Sequence, residues 1–103
     1  MNLARPSFLI LLTAFAPPNA SVTGYGQAID GDSLKVGNEE VRLFGIDAPE
    51  WMQTCQRAGE NWSCGEEAQR QLAKLVEGRK VMCVSMDRDQ HGRLLGRCQA
   101  GNI

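Results

Sequence analysis

Alternating apolar and polar residues predict five β-strands in this chain, and a stretch with helical spacing separates the third strand from the fourth. The apolar residues of that stretch recur every three or four positions, which forms one apolar stripe along a helix. We expect the helix to end near Glu77, because Gly78 suits the left-handed turn that closes many helices. The stripe consists of Ala68, Leu72, Leu75 and Val76, and the predicted strands are 22–29, 34–36, 41–46, 81–86 and 94–98.

A two-residue turn at Gly37-Asn38 sets the register between the second and third strands. Pairing outward from this turn brings two acidic residues next to the end of the third strand. The face that each acid occupies stays open, because a β-bulge at Gly31 would reverse the alternation. The expected pairs are Val36 with Glu39, Leu34 with Val41, Asp32 with Leu43 and Asp30 with Gly45.

The remaining segments complete the order of a known type of barrel. Residues 48–63 read as a loop, and Ser63 and Glu66 have the spacing of a capping box at the start of the helix. A turn at 89–92 joins the last two strands. Three strands, a helix and a hairpin follow one another as in an OB-fold. The predicted class is therefore mainly β with one helix (α+β), built as a five-stranded barrel.

Residues 1–20 are predicted to be a secretory signal that precedes a domain at 21–103. A positive charge at Arg5 precedes an apolar run at 8–15, and small residues at 14–16 or 18–20 could form a cleavage site. The apolar run is shorter than the roughly 20 residues that a membrane helix needs. We therefore expect a secreted or periplasmic monomer with no stable membrane span after cleavage. An uncleaved anchor and a buried N-terminal strand are less favoured alternatives.

The four cysteines are expected to form disulfides, because an exported protein folds in an oxidising compartment. Cys55 and Cys64 bracket one loop, so we expect them to pair with each other. Cys83 and Cys98 lie on strands that a turn near His91 would bring face to face, which predicts the second pair. A zinc site is not expected, because the chain has no Cys-x-x-Cys pair and a single histidine.

Overall charge does not predict a nucleic-acid-binding protein. The chain has 11 Lys and Arg residues, 12 Asp and Glu residues and a formal net charge of -1. Affinity for a nucleic-acid backbone depends on how many cations touch it. Any phosphate binding must therefore come from a local arrangement of side chains.

Three short segments carry the residues on which a chemical function would depend. The third strand runs into VRLFGIDAPE at 41–50, where Arg42, Asp47 and Glu50 at a strand end suggest phosphate chemistry at a metal. DGDS at 30–33 precedes this segment, and DQHGR at 89–93 adds a second arginine after a tight turn. Together and in this order, the three segments resemble the staphylococcal nuclease (thermonuclease) family, in the form of an exported bacterial member.

The resemblance implies a Ca2+ site. Asp32 and Asp47 would be its carboxylate ligands and the carbonyl of Ala48 a third ligand, in keeping with the oxygen atoms that Ca2+ prefers. Asp30 would contact the ligands without binding the ion itself, and Ser33 occupies a position where threonine is common in the family. Taken alone, the Asp-Gly-Asp run is first of all a turn signal.

The resemblance also implies three catalytic residues. Glu50 would orient or deprotonate the attacking water, and Arg42 and Arg93 would hold the phosphate oxygens with their guanidinium groups. The alternatives are a solvated loop acid for Glu50 and a surface ion pair for each arginine, for instance Arg93 with Asp89. His91 departs from the family's D-x-Y-G-R pattern, and we expect a turn residue in solvent rather than a catalytic one.

Two classes of function follow from these observations. The first is a secreted, Ca2+-dependent nuclease that hydrolyses phosphodiester bonds of DNA or RNA without strong sequence preference. The second is a non-catalytic OB-fold module, of the kind linked to exopolysaccharide (succinoglycan) biosynthesis in similar exported proteins. The chain stops at Ile103, so we expect the family's C-terminal helices to be missing, which favours the second class. Trp51 and Trp62 either stack on a base or cover the core, and the sequence favours the core.

Overall fold

The computed structural model describes residues 20–101, most of which form a barrel. The predicted signal lies outside the described residues except for Ala20. Between residues 20 and 101 the structure contains seven strands and one helix. They are β1 (Ser21–Asp30), β2 (Ser33–Val36), β3 (Glu39–Leu43), β4 (Cys55–Arg57), β5 (Glu60–Trp62), α1 (Cys64–Val76), β6 (Lys80–Arg88) and β7 (Leu94–Ala100).

Five of the strands close into a barrel in the order β1-β2-β3-β7-β6. Neighbouring strands are antiparallel except for β3 and β7, which run parallel. The five-stranded barrel with one helix that the sequence predicted is thereby confirmed. The other two strands, β4 and β5, form a separate sheet where a loop was expected. Their short and largely polar sequences lack the apolar alternation that predicts a strand.

The core fills the barrel interior. Leu34, Val41 and Val81 come from three different strands, and none of them is exposed to solvent. Burying each such side chain contributes roughly 1.5–3 kcal/mol relative to leaving it in water. The helix covers one side of this core with Leu72 and Val76, two residues of its predicted stripe. The helix is thereby attached to the barrel through the apolar face that its sequence indicated.

The register of β2 and β3 agrees with the prediction, and Asp32 lies beside Leu43 as expected, but β3 is shorter than predicted. Val36 pairs with Glu39 and Leu34 pairs with Val41, as predicted. The prediction that β3 continues to residue 46 is wrong, because the strand ends at Leu43. Two residues later the chain turns at a glycine with a φ of 79°. The segment that carries the predicted site residues therefore begins earlier than expected.

Asp30 has a different neighbour from the one predicted. It pairs with the first residue of β2 across the turn that ends β1, so Gly45 is not its pairing partner. The irregularity of β1 falls between Ala28 and Asp30, and not at Gly31 as the sequence allowed. A tight reversal therefore separates the two acids, with Asp30 ending β1 and Asp32 leading into β2.

The helix begins without the predicted capping box. Ser63 makes no side-chain capping bond, and its carbonyl accepts a hydrogen bond from the N–H of Glu67 at 3.1 Å. The helix ends at Val76, and Gly78 follows with a φ of 77°, as predicted. Leu75 is 44% exposed, so the buried stripe is narrower than expected. Among the described residues, no helix has the length and apolar character needed to cross a membrane.

Both disulfides join the cysteines that the sequence paired. Cys83 and Cys98 face each other across β6 and β7, with Cα atoms 4.0 Å apart. Cys55 and Cys64 join the first residue of β4 to the first residue of α1. The Cys83–Cys98 bridge therefore links two strands that are already hydrogen-bonded, whereas Cys55–Cys64 ties the small sheet to the helix.

Candidate functional site

The turn between β1 and β2 and the residues after β3 bring several predicted site residues into contact. Asp32 lies in that turn, and its side chain is 12% exposed. Its Oδ2 atom accepts hydrogen bonds from the N–H of Ala48 at 3.0 Å and from Nη2 of Arg42 at 3.3 Å. Its carbonyl accepts a further one from the N–H of Leu43 at 2.8 Å. These contacts lock the turn onto the strand that carries Arg42.

Arg42 lies between two acids. Its Nη2 atom is 3.3 Å from Asp32 and 3.5 Å from Asp47. The Asp47 side chain is 95% exposed, so solvent screens this second contact and it contributes little to stability. The two contacts together orient the guanidinium group. Its other N–H groups donate to no atom of residues 20–101, so they are available to an anion.

The same region offers oxygen atoms that suit a hard cation. Within the described part of the chain, Asp32 Oδ1 and the Ala48 carbonyl accept no hydrogen bond. The Asp32 side chain is 12% exposed, so water or an ion can reach its Oδ1 atom. No group of three or more His, Cys, Asp or Glu side chains between residues 20 and 101 could hold a metal ion. The two carboxylates of Asp32 and Asp47, one carbonyl and water would make a ligand set that Ca2+ accepts.

Glu50 lies on a turn outside the barrel. Its carbonyl accepts a hydrogen bond from the N–H of Gln53 at 2.9 Å, and its own N–H donates to the Gln53 side chain at 3.3 Å. Next to it, the N–H of Trp51 donates to Asp30 Oδ1 at 2.9 Å. The hydroxyl of Ser33 lies 3.4 Å from the other oxygen of Asp30. Asp30 therefore supports the turn that carries Glu50.

The first turn of α1 packs directly against the Glu50 turn. Gly65 donates its N–H to the carbonyl of Gln53 at 3.1 Å. A Cβ atom at Gly65 would overlap the carbonyl oxygen of Glu50 and lie 2.7 Å from that of Trp51. Only glycine permits this approach. The disulfide of the preceding residue, Cys64, fixes the same end of the helix to β4.

Arg93 is held by its own pair of acids. Its Nε atom is 2.8 Å from Asp89, and its Nη1 atom is 3.3 Å from Glu40. The ion pair with Asp89, which the sequence left open as an alternative, is present. Over residues 20–101, Arg93 forms no ion pair with the acids around Arg42. Glu40 precedes Arg42 by two positions on β3, so Arg93 reaches the same face of this strand, about 7 Å along it.

Hydrogen bonds shift the pKa values in the turn before β7. Desolvation raises the pKa of Asp89, but hydrogen bonds from Arg93 and from the N–H of His91 outweigh it and leave that pKa below its ordinary value. The hydrogen bonds to Asp89 and Glu40 outweigh desolvation at Arg93 and raise its pKa. Both groups are therefore held in their charged forms. His91 is exposed and contributes its backbone N–H to this turn.

Three residues that the sequence did not single out help to shape this region: Glu40, Gln53 and Gly65. The register of β3 places Glu40 on the same face as Arg42, but nothing in the sequence pairs Glu40 with Arg93. Gln53 and Gly65 meet the Glu50 turn through contacts that likewise leave no local signal in the sequence.

The two tryptophans lie outside the core, so the interpretation that the sequence favoured for them is wrong. Trp51 is 45% exposed, and neither ring belongs to the cluster of buried apolar side chains. The guanidinium carbon of Arg57 lies 4.1 Å from the centre of the Trp62 ring. Trp51 is therefore exposed, whereas Trp62 is half-buried against Arg57 on the hairpin that Cys55–Cys64 ties to α1.

Comparison with known proteins identifies the type of domain. A family model described as staphylococcal nuclease homologue matches residues 40–103, more than half of the chain. The matched region contains Arg42, Asp47, Glu50 and Arg93, whereas Asp32 precedes it. No curated protein matches the chain.

Proposed function

The chain belongs to the staphylococcal nuclease homologue family, and on this premise we propose that it is a secreted or periplasmic Ca2+-dependent nuclease. It hydrolyses phosphodiester bonds of DNA or RNA as a monomer. Residues 1–20 are its signal and 21–103 its domain. The two disulfides fit an oxidising compartment. The observation that carries the proposal is the convergence of Arg42 with the carboxylates of Asp32 and Asp47.

Asp32, Asp47 and the carbonyl of Ala48 are the groups that would hold Ca2+. Asp32 is the central one, because one of its oxygen atoms is already oriented by hydrogen bonds and the other has no partner in the described chain. A bound divalent ion would supply neutralisation of the phosphate charge and a more acidic water. Asp47, being exposed, is free to turn toward either an ion or a substrate.

The two arginines bind the scissile phosphate from the outer face of β3. Arg42 is oriented by its acids, and a planar guanidinium can hold two phosphate oxygens at once. Arg93 reaches the phosphate by releasing its longer contact, the one to Glu40 at 3.3 Å, while Asp89 keeps its Nε atom in place. Because Arg42 is already oriented, its charge needs no reorganisation during the reaction, which is the source of its effect on the rate.

Glu50 orients the attacking water and accepts its proton. The side chain lies on an exposed turn, where water has access. The backbone of this turn is fixed by Gln53 and Gly65, so the position of the carboxylate relative to the phosphate is limited. Contacts of this kind address the phosphate and not the base edges, so we expect little sequence preference.

The test is cleavage of a single-stranded oligonucleotide in Ca2+ and in excess chelator. Cleavage should require the metal and should fall about 100 to 1,000-fold in Arg42→Ala, as is usual when one preorganised donor is lost. Glu50→Ala should abolish most of the activity. Arg70→Ala is the matched control, because Arg70 is an arginine of α1 paired with the exposed Glu67. Metal-independent cleavage, or equal activity of the two arginine variants, would refute the proposal.

A non-catalytic module, linked to exopolysaccharide biosynthesis, is the second candidate. The observation in its favour is that each arginine of the site already has carboxylate partners, with Glu40 and Asp89 around Arg93. Under this alternative the protein would bind the oligonucleotide in Ca2+ and leave it intact. Gel analysis of the product after prolonged incubation separates the two candidates.

A further inference from the structure

The sheet of β4 and β5 is a small hairpin that stands outside the barrel. Its turn consists of Ala58 and Gly59, whose φ angles are 53° and 84°. A two-residue hairpin turn of this kind requires a positive φ at both positions, which Gly59 adopts readily and Ala58 only with some strain. The disulfide Cys55–Cys64 pins the base of the hairpin to α1. Strain at the tip and a covalent anchor at the base indicate a surface element kept in one shape.

Arg57 is the chemically notable residue of this hairpin. Its guanidinium stacks over Trp62 at 4.1 Å. Stacking uses the face of the guanidinium, so its N–H donors, which lie in the plane, stay available. Its cross-strand partner is Glu60, yet within residues 20–101 Arg57 forms no ion pair. Arg42, Arg70, Arg88 and Arg93 contact a carboxylate, whereas Arg79 and Arg97, like Arg57, form no ion pair among these residues.

The surface beside Arg57 is accessible to a ligand. An open surface groove of about 380 Å³ is lined by Arg57, Ala58, Glu60, Asn61 and Trp62. It combines one cation with an aromatic ring and an amide. These are the groups with which proteins bind the phosphate and the base of a single-stranded nucleic acid.

The hairpin also lies next to the candidate cleavage site. Cys64, which is bonded to the first residue of β4, is followed by Gly65, and Gly65 meets the carbonyls of Glu50 and Trp51. Trp51 itself is 45% exposed. The hairpin is therefore connected through Cys64 and Gly65 to the turn that carries Glu50 and Trp51.

We propose that Arg57, supported by Trp62, binds a backbone phosphate of single-stranded nucleic acid, while the exposed ring of Trp51 stacks on one unpaired base. This deepens and rests on the proposed nuclease function, because it places the two contacts beside the cleaved bond. A base within a duplex presents no free face to an aromatic side chain, so the arrangement favours single strands over duplexes. Glu60 lines the same groove, and its negative charge repels the phosphate.

The test measures binding without cleavage. A fluorescent single-stranded oligonucleotide is titrated in chelator at several salt concentrations, with the matching duplex in parallel. Arg57→Ala should weaken single-strand binding about five-fold or more and lower the salt slope by about 0.7, the value for one phosphate contact on a single strand. Trp51→Leu should weaken binding roughly five-fold or more with an unchanged salt slope. Glu60→Gln should tighten binding.

Arg70→Ala is the control, and circular dichroism establishes that each variant is folded. Arg57→Lys should keep the salt slope and lose part of the affinity, because lysine retains the charge but not the planar fork. Equal affinity of the Arg57→Ala and Arg70→Ala variants, or equal binding of duplex and single strand, overturns the inference. Binding with these signatures but no cleavage in Ca2+ overturns the nuclease function and leaves the inference standing.

Discussion

The barrel and the segment that carries Glu50 are held together in different ways. The barrel is closed by hydrogen-bonded strands around fully buried side chains. Residues 44–63, called the site segment below, contribute no strand to it. This segment is held by a hydrogen bond from Phe44 to Gly96, by single hydrogen bonds to Asp30 and Asp32, by contact with Gly65 and by one disulfide. Stability should therefore depend mainly on the barrel, and the geometry of the proposed site on a few contacts of the site segment.

The largest effect on stability is expected from the barrel core. Leu34→Ala should lower the free energy of unfolding by roughly 2–5 kcal/mol, because it leaves a cavity at a fully buried position. Activity per folded molecule should not change. Urea denaturation combined with activity scaled to the folded fraction provides the measurement. Leu75→Ala is the control, since that side chain is 44% exposed; equal destabilisation by both variants would contradict the comparison.

The two disulfides allow the barrel and the site segment to be compared, because each region contains one of them. Removing Cys83 and Cys98 together, or Cys55 and Cys64 together, by serine substitution should lower stability by roughly 2–3 kcal/mol in each case. Loss of Cys83–Cys98 should lower stability more than loss of Cys55–Cys64. The first bridge closes a loop of 15 residues and the second a loop of 9. Cleavage per folded molecule should fall only when the site segment loses its bridge. Denaturation curves and kcat measured on both variants decide the matter.

Gly65→Ala should damage the site more than the fold. The new methyl group would push the Glu50 turn away from the helix, and a displacement of about 1 Å near a reacting group can lower activity by roughly 100-fold. Gly78→Ala is the matched control at the other end of α1, where a Cβ meets no atom but φ is 77°. It should lose stability and keep kcat. Loss of kcat in both variants would point to a general effect of the helix.

The smallest effect on stability is expected from the loss of the Asp89 charge at acid pH. The pKa of Asp89 is lowered on folding, so its ionised form stabilises the folded protein at neutral pH. That stabilisation is lost as pH falls below the ordinary value of 3.8 and through the folded pKa. The stability difference between the wild type and Asp89→Asn should therefore shrink on acidification. Thermal melts at several pH values test this.

Glu67→Gln sharpens the pH comparison. The pKa of Glu67 is also lowered, by hydrogen bonds first from Gln71 and then from Arg70. Its replacement should show the same trend with pH and leave cleavage unchanged, whereas Asp89→Asn should also lower cleavage, because Arg93 loses its firmest contact. Equal cleavage by the two variants would argue against a role for Arg93.

Much of the fold could be predicted because its signals are local. The Gly37-Asn38 turn was sufficient to pair Leu34 with Val41, and the apolar stripe of α1 identified Leu72 and Val76 as the buried residues. The predictions that failed concern short elements and ends. The predicted capping box is absent, the hairpin of β4 and β5 was not predicted, and β3 is shorter than expected.

The candidate site could be predicted only in part. Asp32, Arg42 and Asp47 were named from the sequence, and the structure brings them together at the end of one hairpin. The partner of Arg93 on β3 was not foreseen, because Glu40 meets it through the parallel pairing of β3 with β7. Strands so far apart along the chain leave no joint pattern in the sequence.

The amino-acid sequence by itself determined the five barrel strands, the helix, the disulfide partners and the residues that could meet a phosphate. Local propensity, turn chemistry and apolar spacing act between near neighbours, so they can be read from the chain. Tertiary structure alone decided that Gly65 touches the Glu50 turn and that Glu40 meets Arg93 across β3 and β7. These features depend on where the closed barrel places distant backbone atoms, which no short stretch of sequence encodes.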